Sequence, residues 1–552
     1  MKKLLAILTL WIVAASAQGL TPAQKEADFR YMASLYSTYY APVTWKAQLF
    51  QLNALDLKPW LTRVANTTTD LDFYELCAEY VNSLNDTHDS FVLPSDFNAT
   101  LGFSVDLYDG VLLFDSISRS RLPVAGYPFV IGDELVSVDG EDALALAARL
   151  AKYVAQGNPR AALRQGAARI ASRAQSRFPH AVDLPDSSEI VVRRQSGALE
   201  TYSIPWVKTG TPLEVGPVPS PRSARAASAT RDAARRDPLA ELQTSAVSPD
   251  LQQGLLGYGA RAPIFAPPSF FTRRLGGASA DFFYSGVFEW YGRKIGYIRI
   301  PSYSPTSTAV ALRQFDTEIT YMNDNTDGLV IDEMRNTGGS LCFGENIATR
   351  LVPHAFQVTG FEVRPYWTRV IGFYNSLVNA KASNAPPETI EQYEVIYKEL
   401  LAANREGREL TNPVPLCTSS LTRQPNSIFY RKPVMVLIDD FSTSTADSVA
   451  AMMQDSDNAF IYGMRSNGAG GNNTGFYAGV YSEAYVGMTL ALQTRPNWVT
   501  VDGFPTTRYI ENVGVRPHVE MDYMTKENLL GGGLSFVNNF LQAMNAYIDQ
   551  RQ

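Results

Sequence analysis

The stretch "VMVLIDDFSTSTADSVAAMMQD" constrains this chain more than any other part of it. Val434–Ile438 is a short unbroken apolar run, the signature of a buried strand. Hydroxyl residues follow at Ser442, Thr443, Ser444 and Thr445. Ala446, Val449, Ala450 and Met453 then recur at the spacing of one helix face. A second stretch, "GLVIDEMRNTGGSLCFGENIATRLV", repeats this order of apolar run, sharp turn and helix. Strands that pass straight into helices belong to α/β layers. Further strand candidates are "FFYSGVFEWY", "KIGYIRI", "AFIYGM" and "VGMTLALQT". Residues 269–552 therefore read as an α/β domain, interrupted at about 356–428 by a helical insertion containing "PETIEQYEVIYKELLAANREGREL".

A chain of 552 residues exceeds what one core usually holds, so several domains are expected. The start, "MKKLLAILTLWIVAASAQG", has a basic pair, a short apolar run and a small-x-small site. It reads as a signal peptide over residues 1–17, with export to the periplasm or the medium. Residues 18–96 carry helical patterns, opened by Thr21 as N-cap with Pro22 behind it and continued by Phe73, Leu76, Tyr80 and Leu84. Residues 97–208 change to short strands with Gly-Asp turns, and "IGDELVSVDGEDA" resembles the strand-turn-strand of PDZ domains, which bind peptides by strand addition. Residues 209–268 are rich in Pro, Ser, Ala and Arg and read as a flexible insert. It is a natural cleavage site. The fold class expected is multidomain α+β: a helical domain, a PDZ-like β domain and an α/β core.

The formal net charge is −7, which argues against nucleic acid or an anionic membrane as partner. No later run is long enough for a membrane helix, so stable insertion after signal cleavage is not expected. The three cysteines, Cys77, Cys342 and Cys417, show no metal-ligand spacing. Buried free thiols are expected, although one long-range disulfide is compatible with export.

A hydroxyl at the strand-to-helix turn has two readings. It caps the helix, or it attacks, helped by the free N–H groups and partial positive charge of the helix start. A nucleophile needs a base. The chain has four histidines, His88, His180, His354 and His518. His88 stands directly after a helical stretch in "LNDTHDSF", where Asp86 and Asp89 can tune it. No lysine lies between Lys432 and Lys526. The turn "GMRSNGAGGNN" lacks the Lys-Ser/Thr ending of a P-loop, and no G-x-S-x-G elbow occurs.

In chain order, "SLNDTHDSF", "IGDELVSVDG", "GLVIDEMRNTGGS", "LIDDFSTSTADSVAAMMQD" and "YIENVGVRPHVEMD" resemble the motifs of the tail-specific, or C-terminal-processing, serine proteases. The resemblance spans about residues 70–210 and 285–525. It implies a core of the ClpP/crotonase-like type and places the reactive hydroxyl on Ser444, with Asp447 at the family's usual Glu position. Many members use a Ser-Lys dyad, but Ala469 occupies the lysine's place here. The chain is thus similar to the Ser-His-Glu branch that holds tricorn protease and chlamydial protease-like activity factor. Carried over, His88 is the base and Glu511 its orienting carboxylate, ahead of Glu483 and Glu520. Backbone N–H groups of Gly338 or Gly339 and of Thr445 would bind the oxyanion.

The resemblance implies an exported serine endopeptidase that acts on protein or peptide through an acyl-enzyme, with no metal or cofactor. A homodimer is left open. A non-catalytic peptide-binding protein on the same fold, and a hydrolase of non-peptide esters, are the alternatives.

Overall fold

The computed structural model describes residues 19–51, 53–154, 156–217, 237–243 and 255–551. The expected leader, residues 1–17, lies outside them. The fold is mixed α+β, with several sheets.

A seven-stranded sheet runs in the order Phe271–Leu275, Tyr284–Trp290, Arg293–Arg299, Gly328–Asp332, Val434–Ile438, Ala459–Gly463, Val519–Glu520. From Arg293–Arg299 onward its pairings are parallel. Val434–Ile438 and its neighbour Gly328–Asp332 are buried at every residue, as strands covered on both faces must be. The two strand-turn-helix stretches thus lie side by side at the sheet's centre. Their turns emerge at the same strand ends, where α/β sheets form clefts. The helix Thr445–Asp455 is buried on all sides over Thr445–Met453, rather than on one face as its period suggests, because the long strand Tyr485–Val499 also packs near it.

That long strand is the hub of a second sheet. It pairs with Ser90–Val92, Gly360–Val363, Gly471–Tyr477 and Thr507–Tyr509. The register Ser90↔Gly487 anchors the chain just after His88. The N-terminal helices Pro22–Tyr39, Val43–Phe50, Lys58–Ala65 and Asp70–Asn82 do not keep a core to themselves. Phe29, Tyr36 and Tyr80 share one apolar cluster with Phe361, Phe373, Val486 and Met488.

A six-stranded antiparallel sheet, from Phe103–Tyr108 to Leu199–Pro205, packs against the helices Ala143–Ala151 and Pro159–Ile170 around its own core. Arg164 ties this unit to the central sheet. Fully buried, its guanidinium donates to both oxygens of Asp106, at 2.9 and 2.7 Å, and to Asp440 at 2.7 Å. It also lies 4.2 Å from the Phe441 ring. Asp440 and Phe441 lead directly into Ser442, so a buried ion cluster links the six-stranded unit to the Ser444 turn.

Two expectations need correction. Cys342 and Cys417 are not free thiols but form a disulfide, while Cys77 is free and buried. The helices Trp367–Ala382 and Pro387–Glu406 of the insertion lie between the two partners in sequence and pack against each other, which returns the chain and brings the cysteines together. The expected insert, 209–268, is also not uniformly loose. Residues 218–236 and 244–254 lie outside the described residues. Leu239, Leu242, Tyr258 and Phe265, however, are buried, because apolar side chains in this polar stretch find partners on the α/β unit.

Candidate active site

Ser444 stands at the N-cap of the Thr445–Asp455 helix with φ 62° and ψ −111°. A side chain rarely adopts this left-handed backbone, and such strain persists only where surrounding contacts enforce it. The neighbouring hydroxyls supply those contacts. Ser442 Oγ donates to the Glu333 carbonyl at 2.7 Å and accepts the Asp439 N–H at 3.0 Å. Thr443 Oγ1 donates to the Phe441 carbonyl at 2.9 Å. Asp447 accepts the Ser444 N–H at 2.8 Å, and from the Gly-rich turn it accepts Ser466 Oγ at 2.5 Å, Gly468 N–H at 2.9 Å and Ala469 N–H at 3.1 Å. One carboxylate therefore joins the Ser444 turn to the 466–470 loop. Burial pushes its pKa up to about 6 against these hydrogen bonds.

His88 Nε2 lies 3.1 Å from Ser444 Oγ, within proton-transfer reach. Both residues are 5% exposed. The His88 N–H donates to Asp86 Oδ1 at 2.9 Å, and its carbonyl accepts from Asn473. Burial lowers the His88 pKa; Asp86 opposes this and Lys46 adds to it. The other histidines stand in plainer settings. His180 pairs with Asp183 at 2.7 Å near the surface, His354 is exposed, and His518 accepts the Ile461 N–H at 2.8 Å.

Glu511 is fully buried, whereas Glu483 is half-buried and Glu520 exposed. Its Oε2 accepts the Gly470 N–H at 2.8 Å and its Oε1 pairs with Lys46. Glu511 does not hydrogen-bond His88 directly, and among the described residues His88 Nδ1 has no hydrogen-bond partner. Asp86, His88 and Glu511 nevertheless bring ligand-type atoms within 4.8 Å of one another. In this group, the cation on Glu511 is the protein's own Lys46 ammonium. Burial and Asp86 push the Glu511 carboxyl up, and Lys46 pulls it down.

The "NTGGS" turn lies against Ser444. Gly338 has φ +74°, and a Cβ there would sit 2.7 Å from the Ser444 Cβ, so no larger residue fits. The Gly338 N–H is engaged by Asn336 Oδ1 at 2.8 Å. Gly339 accepts Thr445 Oγ1 on its carbonyl at 2.7 Å. With Gly338 engaged, the N–H groups of Gly339 and Thr445 are the ones to consider for an oxyanion.

The structure thus brings Ser444, His88, Gly338, Gly339 and Thr445 together and sets Glu511 one step back. Lys46, the Asp447 cradle and the lock of Asn336 on Gly338 were not legible in advance. Lys46 stands in an unremarkable helix, "VTWKAQLF", and only tertiary packing carries it to Glu511.

The sequence model of Peptidase family S41 matches residues 294–521. A protein of Chlamydia trachomatis is 24% identical over 554 residues, covering 91% of this chain and 89% of the relative. One of Chlamydia muridarum is 25% identical over 576 residues, with the same coverage. Among solved structures, mature CPAF superposes with a TM-score of 0.75 at 20% identity, covering 96% of this chain and 98% of that one. Mature CPAF complexed with lactacystin gives 0.74 at 20% identity, with 96% and 99% covered. At this identity the likeness establishes the fold.

Proposed function

We propose that this chain, a serine-type peptidase by its match to Peptidase family S41 over residues 294–521, is an exported endopeptidase working through Ser444, His88 and Glu511. The observation that carries this is the 3.1 Å approach of His88 Nε2 to Ser444 Oγ at a strained helix start. His88 takes the Ser444 proton as Oγ attacks the peptide carbonyl. Bond formation places a negative charge on the carbonyl oxygen. The N–H groups of Gly339 and Thr445 receive it, each worth about 3–4 kcal/mol by comparison with other oxyanion donors. The imidazolium that forms lies near Asp86 and Glu511, whose carboxyl groups favour its charge, while Asp86 fixes the His88 loop through the backbone N–H. His88 then returns its proton to the leaving amine, and water hydrolyses the acyl-enzyme.

The division proposed remains a helical region over 18–96, a PDZ-like unit over 97–208 and a catalytic unit of the ClpP/crotonase-like type over 269–552. Export rests on the pattern of residues 1–17. Among the described residues no helix is long and apolar enough to cross a membrane.

The test is labelling by a fluorophosphonate probe in wild type, Ser444→Ala and His88→Ala, alongside hydrolysis of a denatured protein substrate and a simple ester. Labelling and proteolysis by wild type alone support the reading. Ester turnover without proteolysis favours the non-peptide hydrolase, and a wild type that never labels favours a binding protein.

A further inference from the structure

Lys46 is 1% exposed, and its ammonium has an acceptor for each of its three N–H groups. These are Glu511 Oε1, Asn512 Oδ1 at 2.8 Å and the Asn85 carbonyl at 2.9 Å. Asn85 and Asn512 both bend in the left-handed region, with φ 51° and 63°. Asn512 Nδ2 also donates to the Asn85 carbonyl at 2.8 Å. Asn85 opens the loop that carries His88, and Asn512 follows Glu511. Lys46 therefore staples these two loops at their bends.

The electrostatics point the same way. Asp86, Asp89 and Glu511 are all at least 98% out of solvent, at 0%, 2% and 0% exposure. Tyr40 donates to Asp86 Oδ2 at 2.9 Å, and the Thr489 hydroxyl and N–H serve Asp86 and Asp89. Tyr36 faces Asp89 and Asp86. From the Gly-rich turn, Arg465 is hydrogen-bonded to the carbonyls of Val513 and Asn512, and Asp447 is held by its own donors. Among the described residues, Lys46 is the cation that forms an ion pair with this carboxylate cluster. A buried carboxylate without a cation takes up a proton rather than remain charged.

We propose that Lys46 is a positioning residue of the hydrolytic centre: it holds the Glu511 loop against the His88 loop and favours the ionised form of Glu511 against burial and Asp86, and so helps set the pH at which the centre becomes active. This rests on the assignment of Ser444, His88 and Glu511 made above. Removing the ammonium moves two groups in the same direction. Glu511 ionises only at higher pH, and His88 loses a nearby positive charge and holds its proton to higher pH. The acid limb of activity therefore rises.

The experiment measures the rate of Ser444 labelling by a fluorophosphonate between pH 5 and 9 in the full chain. It compares wild type, Lys46→Met, Lys46→Gln, Glu511→Gln and the Lys46→Met/Glu511→Gln double variant. The expected result is an acid limb about one pH unit higher in both Lys46 variants, with about tenfold slower labelling at pH 5, on the steep part of both limbs. Adding Lys46→Met to Glu511→Gln should bring only the smaller shift that acts directly on His88. The glutamine variant keeps a hydrogen-bond donor and covers the case in which methionine does not fold. A limb that stays in place in a folded Lys46 variant overturns this inference alone. So does an equal shift with and without Glu511. A wild type that is never labelled overturns the nucleophile assignment, and this inference with it.

Discussion

The carboxylate of Asp447 accepts the backbone N–H of Ser444 at 2.8 Å and, 21 residues further along the chain, that of Gly468 at 2.9 Å. It is the hub on which the strained turn hangs. Asp447→Asn would present an NH₂ group to donors that need an acceptor. The expected cost is about 1–3 kcal/mol of unfolding free energy, the usual penalty of an orphaned buried donor, with at least tenfold slower Ser444 labelling. Urea unfolding and probe kinetics measure the two. The pH dependence carries a sign as well. With the folded pKa raised to about 6, the native state binds this proton more tightly than the unfolded chain. The contribution of Asp447 to stability thus grows as pH falls from about 6 towards the ordinary value, and the asparagine variant lacks that rise.

Gly338→Ala should abolish activity. The new Cβ would meet the Ser444 Cβ at 2.7 Å and the Thr443 carbonyl at 2.7 Å, at a φ that disfavours any side chain. The centre is then displaced, and misplacement by about 1 Å suffices for a hundredfold loss. Steady-state proteolysis together with a melting curve separates this loss from unfolding.

In Glu511→Gln, where His88 is left as the titrating group, the pH profile should rise through a midpoint below 6.5, because burial holds the His88 imidazole neutral and the neutral form is the base. The same depression makes stability fall with acid. Below the unfolded value near 6.5 the unfolded chain binds the proton that the folded site refuses. Labelling rates and urea midpoints from pH 5 to 7.5 test both directions. Labelling of Glu511→Gln that declines already above pH 6.5 would contradict the assignment of His88.

Arg164→Met removes the cation between Asp106 and Asp440 and leaves two buried carboxylates facing each other. Breaking such a buried ion cluster costs about 3–5 kcal/mol. Because Asp440 leads into the Ser444 turn, labelling should slow as well. Replacing Arg164 and both carboxylates together by apolar residues should recover most of the stability without restoring the rate.

The α/β core was legible because its signals are local. An apolar run, a turn and a helical period occupy consecutive residues at Gly328 and at Val434, and both fold as read. Ser444 and His88 were legible only through motifs, since nothing local says that Ser90 pairs with Gly487. Asp86 and Asp89 were visible as neighbours of His88. Lys46 and Asn336 were not, because a lysine in a short helix and an asparagine in a turn have ordinary surface roles until packing gives them partners. The Cys342–Cys417 bridge was hidden for a similar reason. The intervening helices Trp367–Ala382 and Pro387–Glu406 pack against each other and return the chain to its starting point, and cysteine spacing does not reveal such a return.

His88 and Ser444 stand 356 residues apart, and Glu511 comes later still. A ribosome builds the chain from the N-terminus, so on the proposed assignment the base is made long before the nucleophile and the nucleophile before its carboxylate. The strand that pins His88, Tyr485–Val499, is itself among the last to emerge. On the proposed assignment, no nascent fragment that ends before Glu511 holds the whole hydrolytic set, so the proteins around the ribosome meet no complete centre until synthesis is nearly finished.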